Sequence, residues 1–178
     1  EMHINVGTVL DFGELEKLKK NSEYQKAKSR ALWLIDYAEQ TEKGLYDKLV
    51  RAGFDKNICA EVISRVKNAG LINDEDYAER YALRCSENGI SKKEAVYKLT
   101  AKGIKKEIAQ AAAEKADFDE NSQIRMLIKK KYKSKLIKDP KNTEKVFAAL
   151  ARKGFSFSAI REELKNYSEN LADEEDFY

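Results

Sequence analysis

A six-residue pattern, Leu-x-x-x-Gly-apolar, occurs three times in this chain and constrains its fold more than any other feature. The copies are Leu49-Val50-Arg51-Ala52-Gly53-Phe54, Leu99-Thr100-Ala101-Lys102-Gly103-Ile104 and Leu150-Ala151-Arg152-Lys153-Gly154-Phe155, with glycines 50 and 51 residues apart. Upstream, Leu45-Tyr46, Ala95-Val96 and Val146-Phe147 stand at matching offsets, so each copy ends one apolar helix face. Downstream, Ile58, Cys59, Val62 and Ile63, then Ile108, Ala109, Ala112 and Ala113, resume helical spacing; the third copy keeps Ala159, Ile160 and Leu164 but has Glu163 in the series. A glycine at the C′ position of a helix makes each leucine C3 and each following apolar residue C″, the pair that touches in a Schellman motif. A side chain is strained in that left-handed backbone. The signature is therefore a helix stop and a hydrophobic clasp into the next helix, not a phosphate-binding loop, which groups its glycines.

Start signals fill in the frame. Ser91-Lys92-Lys93-Glu94 reads as a capping box and Asp139-Pro140 as an N-cap followed by proline at N1, while Thr41, Asp55, Asn73 and Ser156 are suitable caps. The spacing predicts helices over 23–39, 42–52 and 56–69; 74–88, 92–102 and 105–116; and 121–138, 141–153 and 157–171. With one proline, eight glycines and no buried Val/Ile runs, neither a turn-dense β-sandwich nor a parallel sheet fits. The expected fold class is all-α: an elongated array of three tandem three-helix repeats of about fifty residues, stacked because each alone has little core. The expected division is a partly extended lead-in over 1–22, repeats over 23–72, 73–120 and 121–171, and an acidic tail over 172–178. Val6, Val9, Leu10 and Phe12 read as a short strand or an extended lead-in.

Several function classes drop out. The longest apolar runs, such as Ala31-Leu32-Trp33-Leu34-Ile35, fall far short of a membrane span, and the acid-bearing first twenty residues do not read as a signal peptide, so the chain reads as cytoplasmic. His3 is the sole histidine, which removes His-based triads and zinc schemes. Cys59 and Cys85 lack metal or redox spacing and read as core residues. Asp74-Glu75-Asp76 follows a cap and suits the first turn of a helix better than a cation site. No nucleotide-binding or metalloprotease motif occurs, so the expectation is a non-enzymatic protein without cofactor or metal.

Charge is unevenly laid out. Residues 123–165 hold 13 basic and 4 acidic groups, against 6 and 9 over 31–76 and none and 5 over 166–178. At 100° per residue Ile124, Leu127, Ile128 and Tyr132 form an apolar stripe, while Arg125, Lys129 and Lys133 run down another, widened by Lys130. Lys131 and Lys135 sit nearer the apolar edge, and Arg152 and Lys153 end the next helix. The set reads as a solvated lysine face or as a surface for an anionic partner, nucleic-acid phosphates or an acidic protein groove. Tyr132, Phe147, Phe155 and Phe157 read as core at helical spacing rather than as stacking platforms.

The order Ala31-Leu32, Thr41, Leu45, Lys48-Leu49, Gly53-Phe54, then Gly70-Leu71-Ile72-Asn73-Asp74-Glu75-Asp76-Tyr77-Ala78, then Lys98-Leu99 with Lys102-Gly103-Ile104, and the closing Leu150-Ala151-Arg152-Lys153-Gly154-Phe155 with Ile160, resembles the bacterial regulatory protein family RecX over roughly 27–165. The resemblance implies tandem three-helix repeats and a regulator that lies in the groove of the RecA–DNA filament. It implies inhibition of the RecA recombinase, by limiting filament extension or stability, and hence a role in recombination, DNA repair and the SOS response. It implies RecA and sequence-nonspecific DNA as partners, with no membrane, and a monomer. Where the family pattern has an arginine pair, this chain has Asp36 and Tyr37 followed by Glu39; Gly44-Leu45 replaces the usual Glu-Leu, and Asn88-Gly89-Ile90-Ser91 stands at the fifth helix's entry. Binding is therefore expected to lean on repeats two and three, through Lys102, Lys105, Lys106, Arg125, Lys129, Lys130, Lys133, Arg152 and Lys153. The alternative is a nucleic-acid-binding helical repeat module that acts without RecA.

Overall fold

The computed structural model describes residues 11–138 and 142–175, and every regular element among them is helical. His3, Val6, Val9 and Leu10, the Asp139-Pro140 cap and the end of the acidic tail lie outside those residues. The chain divides into two compact units, one ending at Asn73 and the other beginning at Asp74.

The first unit holds α1 (Phe12–Tyr37), α2 (Glu42–Arg51) and α3 (Lys56–Asn68). Helix α1 begins well before the expected residue 23, and Phe12, read above as strand or lead-in, is its first residue. The cause is local: the Asp11 carboxylate accepts the Glu14 N–H at 2.8 Å and the Glu14 carboxylate accepts the Asp11 N–H at 3.1 Å, a reciprocal capping box. Thr41 caps α2 through the Gly44 N–H at 2.9 Å, and Asp55 caps α3 through the Asn57 and Ile58 N–H groups at 2.8 and 3.3 Å. Ala27, Ala31 and Leu34 of α1 close over Leu45, Leu49, Ile58, Cys59, Val62, Ile63 and Val66. Leu45 and Leu49 are fully buried, each contributing about 1.5–3 kcal/mol.

The second unit holds two cores. Helices α4 (Asp74–Glu87), α5 (Lys92–Ala101) and α6 (Lys106–Lys115) enclose Tyr77, Ala78, Ala82, Leu99, Ile104, Ala109 and Ala112. Helix α7 (Glu120–Leu127) passes through a π-helical turn (Ile128–Tyr132) into α8 (Lys133–Lys138), followed by α9 (Asn142–Arg152) and α10 (Phe157–Glu175). Their core joins Ile124, Leu127, Ile128 and Leu136 to Val146, Leu150, Phe155, Ile160 and Leu164. Of the four aromatics assigned to the core, Phe155 is buried and Tyr132 and Phe147 are half-buried, but Phe157 is 65% exposed, tilted against Phe147 with ring centroids 5.5 Å apart.

The repeated glycines end helices as the spacing requires. Gly53, Gly103 and Gly154 have φ of +93°, +91° and +88°. The N–H groups of Phe54, Ile104 and Phe155 reach back to the carbonyls of Leu49, Leu99 and Leu150 at 3.3, 3.2 and 3.4 Å, the six-to-one bond of the Schellman motif. Gly70 and Gly89 end α3 and α4 in the same way, with Leu71 bonded to Val66 at 2.9 Å and Ile90 to Cys85 at 3.0 Å.

Candidate nucleic-acid and filament interface

The expected line of Arg125, Lys129 and Lys133 rests on an unbroken α-helix. The π-helical turn over Ile128–Tyr132 closes i→i+5 rather than i→i+4, so residues beyond it rotate out of the 100° register and the three cations do not form one straight stripe. Arg125 is separately committed. Its Nε and Nη2 donate to the two carboxylate oxygens of Glu163 at 3.0 and 2.9 Å, and Glu163 is 3% exposed. This fork raises the Arg125 pKa through the hydrogen bond and the charge of Glu163. Glu163, the residue that breaks the apolar series of the third repeat, is thus the buried partner of an arginine on α7, and charge reversal at Arg125 strikes the fold as well as any binding face.

The other expected cations stand in several places. Lys129, Lys130 and Lys133 are exposed along the π turn and the start of α8. Arg152 is exposed and joins Lys135 and Lys145 around an open cleft of about 440 Å³, whose other lining residues are Tyr132, Asn142, Val146 and Ala149. Among the described residues no carboxylate lines it. Asn142 builds its wall: the side-chain amide donates to the Lys135 carbonyl at 3.0 Å, and its oxygen accepts from Lys145 at 3.3 Å. The apolar floor of Val146 and Ala149 is a surface where the field of three like charges is less screened than in open water. Lys145 was not among the expected site residues, although its spacing to Ala149 and Arg152, i, i+4 and i+7, marks one face of α9; Lys135 was assigned to the apolar edge and is exposed beside the cleft.

Lys153 is half-buried, and its carbonyl accepts the Ser91 hydroxyl, which in turn accepts the Glu94 N–H at 3.1 Å. Ser91 is therefore the cap of α5, but the Glu94 carboxylate pairs with Lys98 at 2.9 Å instead of completing the expected box. Gln123 bonds the carbonyls of Ser86 and Ile90 at 2.7 and 3.3 Å, so two core layers of the second unit are held together by bonds to backbone. Lys102 is exposed with its ammonium 5.9 and 5.6 Å from the rings of Tyr77 and Tyr81. Lys105 and Lys106 stand at the N-cap and first residue of α6, where Lys105 makes no capping bond and positive charge opposes the macrodipole. Helix stability does not account for their placement.

Cys59 and Cys85 are buried free thiols whose pKa values are pushed up by desolvation, which keeps them protonated and unreactive at neutral pH. Among the described residues no group of three or more His, Cys, Asp or Glu side chains is placed to hold a metal ion. None of the described helices is long and apolar enough to cross a membrane.

Comparison with known proteins then bears on the whole chain. Residues 27–65 match the family model described as RecX, first three-helix domain, and residues 119–164 match RecX, third three-helix domain. The chain is 31% identical over 172 residues to the Regulatory protein RecX of Clostridium perfringens strain SM101, covering 94% of this chain and 80% of that one. It is 30% identical over 158 residues to the Regulatory protein RecX of Amycolatopsis mediterranei, covering 85% and 90%. A crystal structure of a regulatory protein RecX shares the fold with a TM-score of 0.75 at 23% identity, over 92% of this chain and 81% of that chain. With three-helix domains, the Schellman glycines and these relatives all in agreement, the chain belongs to the RecX family of regulatory proteins.

Proposed function

We propose that this protein is a non-enzymatic, cytoplasmic inhibitor of the RecA recombinase that acts as a monomer on the RecA–DNA filament and limits its extension or stability. The observation that carries this reading is the clustering of Lys135, Lys145 and Arg152 around one open cleft, with Lys129, Lys130 and Lys133 exposed nearby in sequence. Such a surface attracts closely spaced phosphates irrespective of base sequence. Lys102, Lys105 and Lys106 supply a second set of cations one repeat earlier, so that successive repeats, over 73–120 and 121–171, each touch the filament. Arg125 supports the fold in this reading, through Glu163, rather than touching the partner, whereas Lys153, whose contact with Ser91 is through its backbone carbonyl, keeps its side chain as a partner contact beside Arg152.

The test is the ATPase rate of RecA preassembled on single-stranded DNA, titrated with this protein from well below one per RecA. The expected result is inhibition at low ratio that Lys133→Glu, Lys145→Glu and Arg152→Glu together abolish while circular dichroism stays unchanged. Unaltered ATPase with intact DNA binding would reject the RecA reading and favour a nucleic-acid-binding module that acts alone.

A further inference from the structure

Helix α1 has a second side-chain face that its role in the core does not explain. On a helix of 3.6 residues per turn, Phe12, Leu15, Lys19, Lys26, Arg30, Trp33 and Tyr37 fall together, roughly 100° round from buried Ala27, Ala31 and Leu34. Phe12 and Tyr37 are each 78% exposed and Trp33 is 53% exposed, an unusual display of aromatic surface to water. At the C-terminal end two parallel rings and a guanidinium follow one another along the helix. The Trp33 and Tyr37 rings have centroids 5.6 Å apart and planes within 8°, and the Arg30 guanidinium lies 4.4 Å from the Trp33 centroid. Lys19, Lys26 and Arg30 have no carboxylate partner among the described residues. Glu23, the acid nearest their line, is engaged by the Asp55 N–H at 2.9 Å, and Asp36 lies about a quarter-turn away.

Flat rings filed with unpaired cations match one polymer chemistry. A single-stranded nucleic acid offers unpaired bases to continue the file beyond Tyr37 and phosphates to meet the cations, whereas a duplex hides its base faces. We propose that this face of α1 binds single-stranded nucleic acid, with Tyr37 and Trp33 as the stacking platform and Lys19, Lys26 and Arg30 as phosphate contacts. It reassigns the first repeat, where Asp36 and Tyr37, followed by Glu39, stand at the positions that the resemblance gives to an arginine pair, from a charge-poor element to a base-stacking one. The site uses none of the residues on which the proposed RecA inhibition rests, so the two readings fail separately.

Trp33 is the only tryptophan in the chain, so its fluorescence reports on this face alone. Titration of the full chain with a short oligothymidine is expected to quench Trp33 saturably, and a duplex of the same length to quench it far less. Tyr37→Ala and Lys26→Glu, both exposed, are each expected to weaken oligothymidine binding about tenfold, read by anisotropy of a labelled strand, with thermal melting unchanged. Variants at Lys145 and Arg152 are expected to leave the quenching in place. Binding that neither quenches Trp33 nor responds to Tyr37→Ala would overturn the proposal, as would equal quenching by duplex. Quenching by DNA-free RecA but not by oligothymidine would assign the face to a protein contact and equally overturn it.

Discussion

Glu163 illustrates how one residue's meaning depends on a partner distant in the chain. Removing Arg125 leaves a buried carboxylate without its fork, whereas replacing both partners by apolar residues removes the desolvated charge as well as the pair. Thermal denaturation is therefore expected to rank Arg125→Ala as the least stable, Glu163→Gln closer to wild type, and Arg125→Leu with Glu163→Leu above Arg125→Ala. A double variant no better than Arg125→Ala would refute the account. Asp119 offers a pH test. Its carboxylate accepts the Ser122 hydroxyl and N–H at 2.6 and 3.0 Å, which lowers its pKa from the ordinary 3.8. A lowered folded pKa stabilises fully above 3.8 and is lost as pH falls through the lower folded value. Asp119→Asn, which lacks that ionisation, is expected to lower stability in the neutral range, to approach the wild type at acid pH, and so to flatten that limb of the stability–pH curve.

At the scale of the element, most helix ends were legible because the bonds that make them span only a few residues. Leu49 and Phe54, or Asp55 and Ile58, meet within one turn wherever the helix goes. The missed start of α1 was also local: Asp11 and Glu14 stand three apart, and the apolar residues Phe12 and Leu15, on a face that is exposed, masked a single-faced periodicity. The π turn was less legible, because the lysine run over 129–131 suits an α-helix equally well. Alanine at each repeated glycine is expected to cost about 1–2 kcal/mol in urea denaturation, from the left-handed backbone alone. Gly154→Ala is expected to cost most, since its Cβ would also lie 3.0 Å from the Ser91 hydroxyl and 3.1 Å from the Lys93 Cβ, whereas Gly53 has open space. Equal losses at Gly53 and Gly154 would show that the Ser91 contact yields freely.

At the scale of the whole molecule, the cationic cleft predicts how DNA affinity responds to salt. Each phosphate left without its cation removes about one unit from the slope of log affinity against log salt. Lys135→Gln, Lys145→Gln and Arg152→Gln together are expected to reduce that slope by about three, whereas Arg125→Gln leaves it unchanged where the protein stays folded. The sequence by itself determined the all-α class, the glycine stops and the apolar faces of the three cores, because hydrogen bonds and helical periodicity act between near neighbours. Only the tertiary structure decided which cations are spent and which are free. Arg125 and Glu163 are 38 residues apart, and Lys135 meets Lys145 and Arg152 only where α8 and α9 pack. Those pairings are set by the packing of whole helices, and a charge in sequence carries no record of what will lie across from it.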